Sequence, residues 1–190
     1  MAMLEYNEAV ERTYIVLDGE PYEVLDSHVF RKQQRKPVNA TKLINLLTKK
    51  VTERSFHQSE KIEEAEIDKT EVKYLYTHRD EYWFNEDGDA SKRFKVTIEV
   101  LGPQGKFLKP NTVVTMLSFK GRIIGFKMPI TVDLKVTDAP PAVRGDTVTG
   151  GTKLITLETG ATVNAPLFVN EGDIVRVNTE TGEYRERVNK

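Results

Sequence analysis

The chain has no cysteine among its 190 residues, so disulfides and thiolate metal sites are excluded. Histidine is scarce: His28, His57 and His78 stand far apart with no HxxE or HExxH neighbourhood, and they read as surface or barrel-rim residues. No metal and no cofactor are expected. No apolar run approaches the roughly 18 residues of a membrane span. The N-terminal MAMLEYNEAVERTYIV has acidic residues and no basic stretch followed by an apolar one, so no signal peptide is read. The expectation is a cytoplasmic protein with no membrane partner. Helical periodicity is confined to short pieces, the example being EKIEEAEI at residues 60–67, and there is no low-complexity segment or strict repeat. Catalytic signatures are equally sparse. GDTVTGGTK, residues 145–153, has the order Thr152-Lys153, whereas a P-loop needs lysine before the hydroxyl residue and a helix behind it. No serine sits in a nucleophile elbow, and spacing does not single out Asp146 or Glu158 as acid–base groups. No catalytic residue is assigned, and an enzyme is not expected.

Strands dominate what remains. TYIVLDGEPYEVL reads as a hairpin turning at Asp18-Gly19, and Val29-Phe30 and Val38 to Leu47 flank a second hairpin with its tip near Lys32 to Lys36. Pro37 cannot donate a ladder hydrogen bond and marks the end of pairing beside that tip. KYLYTHRDEYWFN gives two aromatic strands, and TVVTMLSFKGRIIGFKM gives two more around Lys120-Gly121. TVDLKVTD alternates, TLETGATV turns at Thr159-Gly160, and DIVRVNTETGEYRERV turns near Gly182. Short strands with turns at such spacing predict an all-β protein of three small barrels. Boundaries fall in the polar stretch around Glu64 to Thr70 and at Met128-Pro129, giving domains 1–64, 65–128 and 129–190. Of the aromatics, Tyr74, Tyr76, Tyr82, Trp83 and Phe84 could form a stacking platform, but barrel core and rim packing is the preferred reading.

The formal charge is −1, yet its distribution is uneven. From Ser27 to Thr52 there are seven basic residues, Arg31, Lys32, Arg35, Lys36, Lys42, Lys49 and Lys50, and no Asp or Glu. A surface tuned only for solubility mixes the signs. A general nucleic-acid coat is basic throughout, because each neutralised phosphate adds counterion-release free energy. The pattern therefore predicts a protruding basic fingertip and a few directed contacts, with a solvated charge run as the bland alternative.

Several stretches resemble the bacterial elongation factor P family, related to the hypusine-containing translation factor of eukaryotes and archaea. They are DGEPYEV at 18–24, TKLINL at 41–46, YLY with its aromatic return strand at 74–84, GDTVTGGTKLITLETGATVNAPLFVNEGD at 145–173 and TGEYRERV at 181–188. The resemblance runs over essentially the whole chain. It implies an SH3-like (KOW-type) first barrel followed by two OB-fold barrels, and a monomeric translation elongation factor. Such a factor binds the ribosome beside peptidyl-tRNA, contacts ribosomal RNA, with messenger RNA a further candidate partner, and relieves stalling at consecutive prolines by positioning the tRNA acceptor end. The contrasting reading is a free-standing OB/SH3 RNA-binding module outside the peptidyl-transferase role.

Residue by residue, the resemblance assigns the acceptor-end tip to Arg31, Lys32, Gln34, Arg35 and Lys36. It assigns the messenger or exit-site loop to Gly145, Asp146 and Thr147, and the peptidyl-tRNA contact to Tyr184 and Arg187. An Asx turn closed by Asp146 and a plain surface strand at Arg187 are the structural alternatives. The tip departs from the family pattern. Where the family carries a Pro-Gly-Lys-Gly-like loop with a modifiable lysine, or an arginine in some members, DSHVFRKQQRKPV places Gln34 and has neither glycine. Three readings stand: Arg35 or Lys32 reaching the tRNA unmodified, a modification on Lys32 or Arg35 after a shift of the loop, or Gln34 acting through its amide. Leu154-Ile155 likewise stands where the family more usually has Pro-Ala.

Overall fold

Three two-residue turns organise the first two-thirds of the chain. At Asp18-Gly19 (φ 52° and 81°), Arg79-Asp80 (50° and 63°) and Lys120-Gly121 (49° and 75°) both central residues are left-handed. This is the turn whose twist matches that of antiparallel strands. Each closes a hairpin between strands whose alternating apolar residues need a common face.

The computed structural model describes residues 2–31, 36–86, 89–141 and 151–188. The described residues form three antiparallel-rich sheets and two short helical turns, so the all-β expectation holds. The first sheet has the order β1-β6-β2-β3-β4-β5. Its strands are β1 (Met3–Glu5), β2 (Tyr14–Leu17), β3 (Glu20–Phe30), β4 (Val38–Asn45), β5 (Val51–His57) and β6 (Lys61–Glu64). The second has the order β11-β10-β7-β8-β9, from β7 (Asp68–His78), β8 (Glu81–Glu86), β9 (Asp89–Thr97), β10 (Val113–Phe119) and β11 (Arg122–Lys127). The third has the order β14-β13-β12-β15-β16, from β12 (Thr131–Asp138), β13 (Thr152–Leu157), β14 (Thr162–Pro166), β15 (Ile174–Asn178) and β16 (Tyr184–Arg187).

The chain gathers into two compact units, Met1–Lys69 with Leu117–Gly125, and Thr70–Met116 with Phe126–Lys190. In the first, Ala9, Ile15, Val24, Leu43, Phe56 and Ile62 fill the sheet's interior. Buried Asn39 ties the N-terminal segment to that core, its Nδ2 donating to the carbonyls of Tyr6 at 2.8 Å and Ala9 at 3.0 Å. A second apolar cluster in the same unit joins Val16, Leu46 and Ala65 to Phe119 and Ile124. The Lys49 Nζ donates to the Ile124 carbonyl at 2.9 Å beside it, and burial pulls its pKa below the usual lysine value against the opposing pull of Glu23.

In the second unit, Phe84 stacks on Phe126 at 5.0 Å and on Phe94 at 5.7 Å. The helical turns α1 (Ile98–Leu101) and η1 (Pro103–Phe107) follow β9, and the second delivers Phe107 into the cluster of Leu134, Val136, Ile155, Leu157 and Val175 in the third sheet.

One expectation is overturned. EKIEEAEI is not helical: Lys61–Glu64 is strand β6, pairing Leu4↔Ile62 with β1 and Val16↔Glu63 with β2. A helix of about two turns cannot hold itself without packing. Here the open edges of β1 and β2 take up the backbone groups, while Ile62 and Ala65 reach different apolar clusters.

Candidate functional site

Strands β3 and β4 pair, with one bulge between Val24 and Asp26, as far as Phe30↔Val38, so residues 31–37 connect them, with Pro37 immediately before β4. Arg31 and Lys36 flank the closing loop and are exposed. Lys32, Gln34 and Arg35 lie outside the described residues, as do Gly145, Asp146 and Thr147.

The structure sorts the seven basic residues that the sequence grouped together. Lys42 is register-paired with Asp26 on β3 and with Glu53 on β5, the two carboxylates that bound the acid-free window. These three line a shallow groove of about 430 Å³, together with His28, Arg54 and Ser55 among others. Lys49 is engaged with the Ile124 carbonyl, and Lys50 lies at the far end of β4 from the loop. The other four, Arg31, Lys32, Arg35 and Lys36, belong to the closing stretch, which has no Asp or Glu in its sequence. Beside it, His28 and Phe30 stack at 6.1 Å on one face of β3.

At the C-terminal end, Tyr184 and Arg187 are three residues apart, a spacing that in a regular strand puts side chains on opposite faces. A bulge changes this. Val177 pairs with Tyr184, Arg176 with Glu186 and Val175 with Arg187, so Arg185 is the extra residue. Val175 and Val177 both face the core, and Tyr184 and Arg187 are brought to that same side. The Tyr184 ring packs on the core edge, and burial raises its pKa against the opposing pull of Arg187. The Arg187 guanidinium lies 5.4 Å from the ring of Phe168, itself 56% exposed, and its Nη1 reaches Asp173 at 3.4 Å. The Phe168 contact was not foreseen in the sequence; a lone aromatic between Leu167 and Val169 gave no signal.

Arg176 projects on the other side, bidentate to Asp133 at 2.7 and 3.0 Å and bonded to Glu186 at 2.6 Å. Glu158, weighed above as an acid–base group, accepts from the Lys135 backbone N–H and from Lys109, both at 3.0 Å. Burial pushes its pKa up, but these donors together take it below the ordinary glutamate value. It is a structural tie between β12 and the segment before β10. Among the described residues no group of three or more His, Cys, Asp or Glu side chains could hold a metal ion, and no helix is long and apolar enough to cross a membrane.

Comparison with known proteins agrees with this arrangement. A family model described as the elongation factor P KOW-like domain matches residues 13–62, and one described as the elongation factor P C-terminal domain matches residues 132–187. The elongation factor P of Carboxydothermus hydrogenoformans is 39% identical over 186 residues, spanning 98% of this chain and 100% of that protein. That of Caldanaerobacter subterraneus subsp. tengcongensis is 40% identical over 174 residues, spanning 92% and 94%. Among solved structures, the eukaryotic translation initiation factor 5A from Methanococcus jannaschii shares the fold with a TM-score of 0.52 at 19% identity, covering 64% of this chain and 91% of that one. A strand-built chain that opens with a KOW-like domain and keeps this company is a translation factor. It belongs to the elongation factor P family, whose members are translation elongation factors.

Proposed function

We propose that this elongation factor binds the ribosome beside peptidyl-tRNA and stimulates peptide-bond formation at consecutive prolines by holding the tRNA acceptor end. Proline is a poor attacking amine, and a prolyl ester end that wanders from reactive geometry slows the step further. Orientation of reactants is worth several kcal/mol in well-aligned systems, at about 7–11 kcal/mol at the extreme. The factor needs no bond chemistry of its own to supply part of that.

The observation that supports this reading most directly is the placement of charge. Lys42 stands between Asp26 and Glu53 in register, and the hairpin's closing stretch from Arg31 to Lys36 has four basic residues and no acidic one in its sequence. A hairpin whose closing stretch is basic in sequence suits a route between RNA backbones. In this reading domains 1–64, 65–128 and 129–190 act as one cytoplasmic monomer. Lys32, Gln34 and Arg35 meet the acceptor end, Gly145, Asp146 and Thr147 approach the messenger, and Tyr184 and Arg187 meet the peptidyl-tRNA, with Phe168 extending that contact.

The test is reconstituted translation of a message with three consecutive proline codons. Recombinant protein is compared with a variant in which Arg31 to Lys36 are replaced by Gly and Ser. Rescue by the first and not the second is expected. Equal rescue by both removes the tip from the mechanism. Tight, ribosome-independent binding of naked RNA with no rescue favours the free-standing module.

A further inference from the structure

The turn between β4 and β5 presents a lysine that the proposed ribosomal role leaves idle. Asn45 fixes this turn. Its backbone N–H donates to the Lys50 carbonyl and its own carbonyl accepts from the Lys49 N–H, both at 2.9 Å, while its Oδ1 accepts from the N–H groups of Leu47 and Thr48. Lys49 closes the turn in the left-handed conformation, with φ 60°. A non-glycine residue in that conformation is held by its surroundings, and the bonds to Asn45 supply the hold. The side chain therefore leaves the backbone in a fixed direction.

That direction leads to the tip of the β10–β11 hairpin, residues Leu117–Gly125, which gathers into one compact unit with the first sheet. Phe119 and Ile124 of the tip pack with Val16, Leu46 and Ala65. The Lys49 Nζ donates to the Ile124 carbonyl at 2.9 Å. A side chain at the next residue, Gly125, would meet that Nζ at 3.5 Å and nothing else within 4 Å beyond its own neighbours in the chain. The amine thus lies over bare backbone, while Lys49 as a whole stays exposed. Burial lowers its pKa and prevails over the charge of Glu23, which pulls the other way. Lys92, bonded to Glu86, is displaced upward instead. A lysine below its usual value holds a larger share of free amine at neutral pH.

We propose that Lys49 is a site of Nε-acylation by acyl phosphates, the mixed anhydrides of a carboxylic acid and phosphoric acid, and that the modification loosens the β10–β11 tip from the first sheet. The neutral Nζ attacks the acyl carbon, the bond from that carbon to the phosphate oxygen breaks, inorganic phosphate leaves, and the proton shed by the amine passes to solvent. A protonated amine has no lone pair to attack with; partial burial frees that of Lys49 while the residue stays reachable. The bond to the Ile124 carbonyl occupies one N–H and leaves the lone pair in another tetrahedral direction. In the resting ammonium form that bond is charge-assisted. The amide formed by acylation is uncharged and bulkier, so the charge-assisted bond is lost and the acyl group must find room where Nζ lay over Gly125. Acyl phosphates react slowly with amines, so a minor fraction of molecules carries the group and most keep the bare mass.

The full recombinant chain is incubated with acetyl phosphate at neutral pH, and the occupancy of each lysine is followed in time by peptide mass spectrometry. Lys49 is expected to gain the acetyl group several-fold faster than Lys42 on β4 and Lys50 in the same turn. The advantage should vanish in concentrated urea, where the burial that frees the amine is gone. A Lys49 rate equal to or below those of Lys42 and Lys50, or an advantage that survives urea, would overturn the proposal. This measurement uses the unaltered chain and does not depend on any variant folding. The loosening is read by trypsin. Lys49→Gln, neutral as the acetylated residue is, should speed cleavage after Lys120 in the hairpin turn several-fold at a temperature well below melting, and Lys49→Arg should leave it unchanged. Cleavage of Lys49→Gln at the wild-type rate would overturn the loosening.

Discussion

At the scale of single residues, Asn39 shows how one polar side chain sets the path of a whole segment. It lies on β4 with 0% exposure, and its amide donates to two carbonyls more than thirty places earlier or close to it, those of Tyr6 and Ala9. Removing the donors leaves two carbonyls facing the protein interior, each costing about 1–3 kcal/mol when sealed from water. The loss of the Asn39 Oδ1, which has no partner among the described residues, offsets part of that. Asn39→Ala should therefore destabilise the protein by about 2–3 kcal/mol, read as a fall in the urea midpoint at unchanged slope. A change below about 1 kcal/mol would mean that the N-terminal segment is held by Ala9 packing rather than by this amide. The substitution also separates stability from function, because Asn39 faces the core and not the loop from Arg31 to Lys36.

At the scale of elements, Arg176 joins three strands of the third sheet by bonding Asp133 on β12 and Glu186 on β16. Its hydrogen bonds hold the Asp133 carboxyl below the ordinary aspartate range, burial acts the other way, and the Arg176 charge adds to the lowering. The unfolded carboxyl titrates near about 3.9. The stabilisation is therefore full above that value and disappears as pH falls through the lower folded value. Wild type should melt higher than Asp133→Asn at neutral pH, and the gap should close on acidification through the region below pH 4. A gap that persists in strong acid would show that the ion pair contributes nothing to the difference.

Elements also show what a one-dimensional reading can and cannot see. Asp18-Gly19 and Lys120-Gly121 were legible because the turn is decided by two residues that tolerate left-handed backbone. β6 was not, because EKIEEAEI has apolar residues at helical spacing and only the open edges of β1 and β2 make it a strand. The bulge at Arg185 was equally hidden, and with it the fact that Tyr184 and Arg187 share a face. Charge counting misled in a similar way. Asp26 and Glu53 stand one residue outside the acid-free window, yet strand register puts both opposite Lys42. The family motifs still reached Tyr184 and Arg187, whereas Phe168 is brought to Arg187 only by the fold.

For the molecule as a whole, the loop that closes β3 and β4 decides what the cell must supply. A Pro-Gly-Lys-Gly-like loop presents a lysine that a dedicated enzyme extends, and the extension provides reach. This chain has Gln34 at that place, no glycine beside it, and four long cationic side chains from Arg31 to Lys36. Unmodified arginine and lysine already span several ångströms and keep their charge at every physiological pH. The factor is therefore expected to work without a lysyl-adding enzyme. Protein purified from its native cells should have the intact mass of the bare sequence, and it should match recombinant protein in the proline-stalling assay turn for turn. A stoichiometric adduct on the peptide containing Arg31 to Lys36, together with lower activity of the recombinant form, would instead assign the reach to a modification on Lys32 or Arg35.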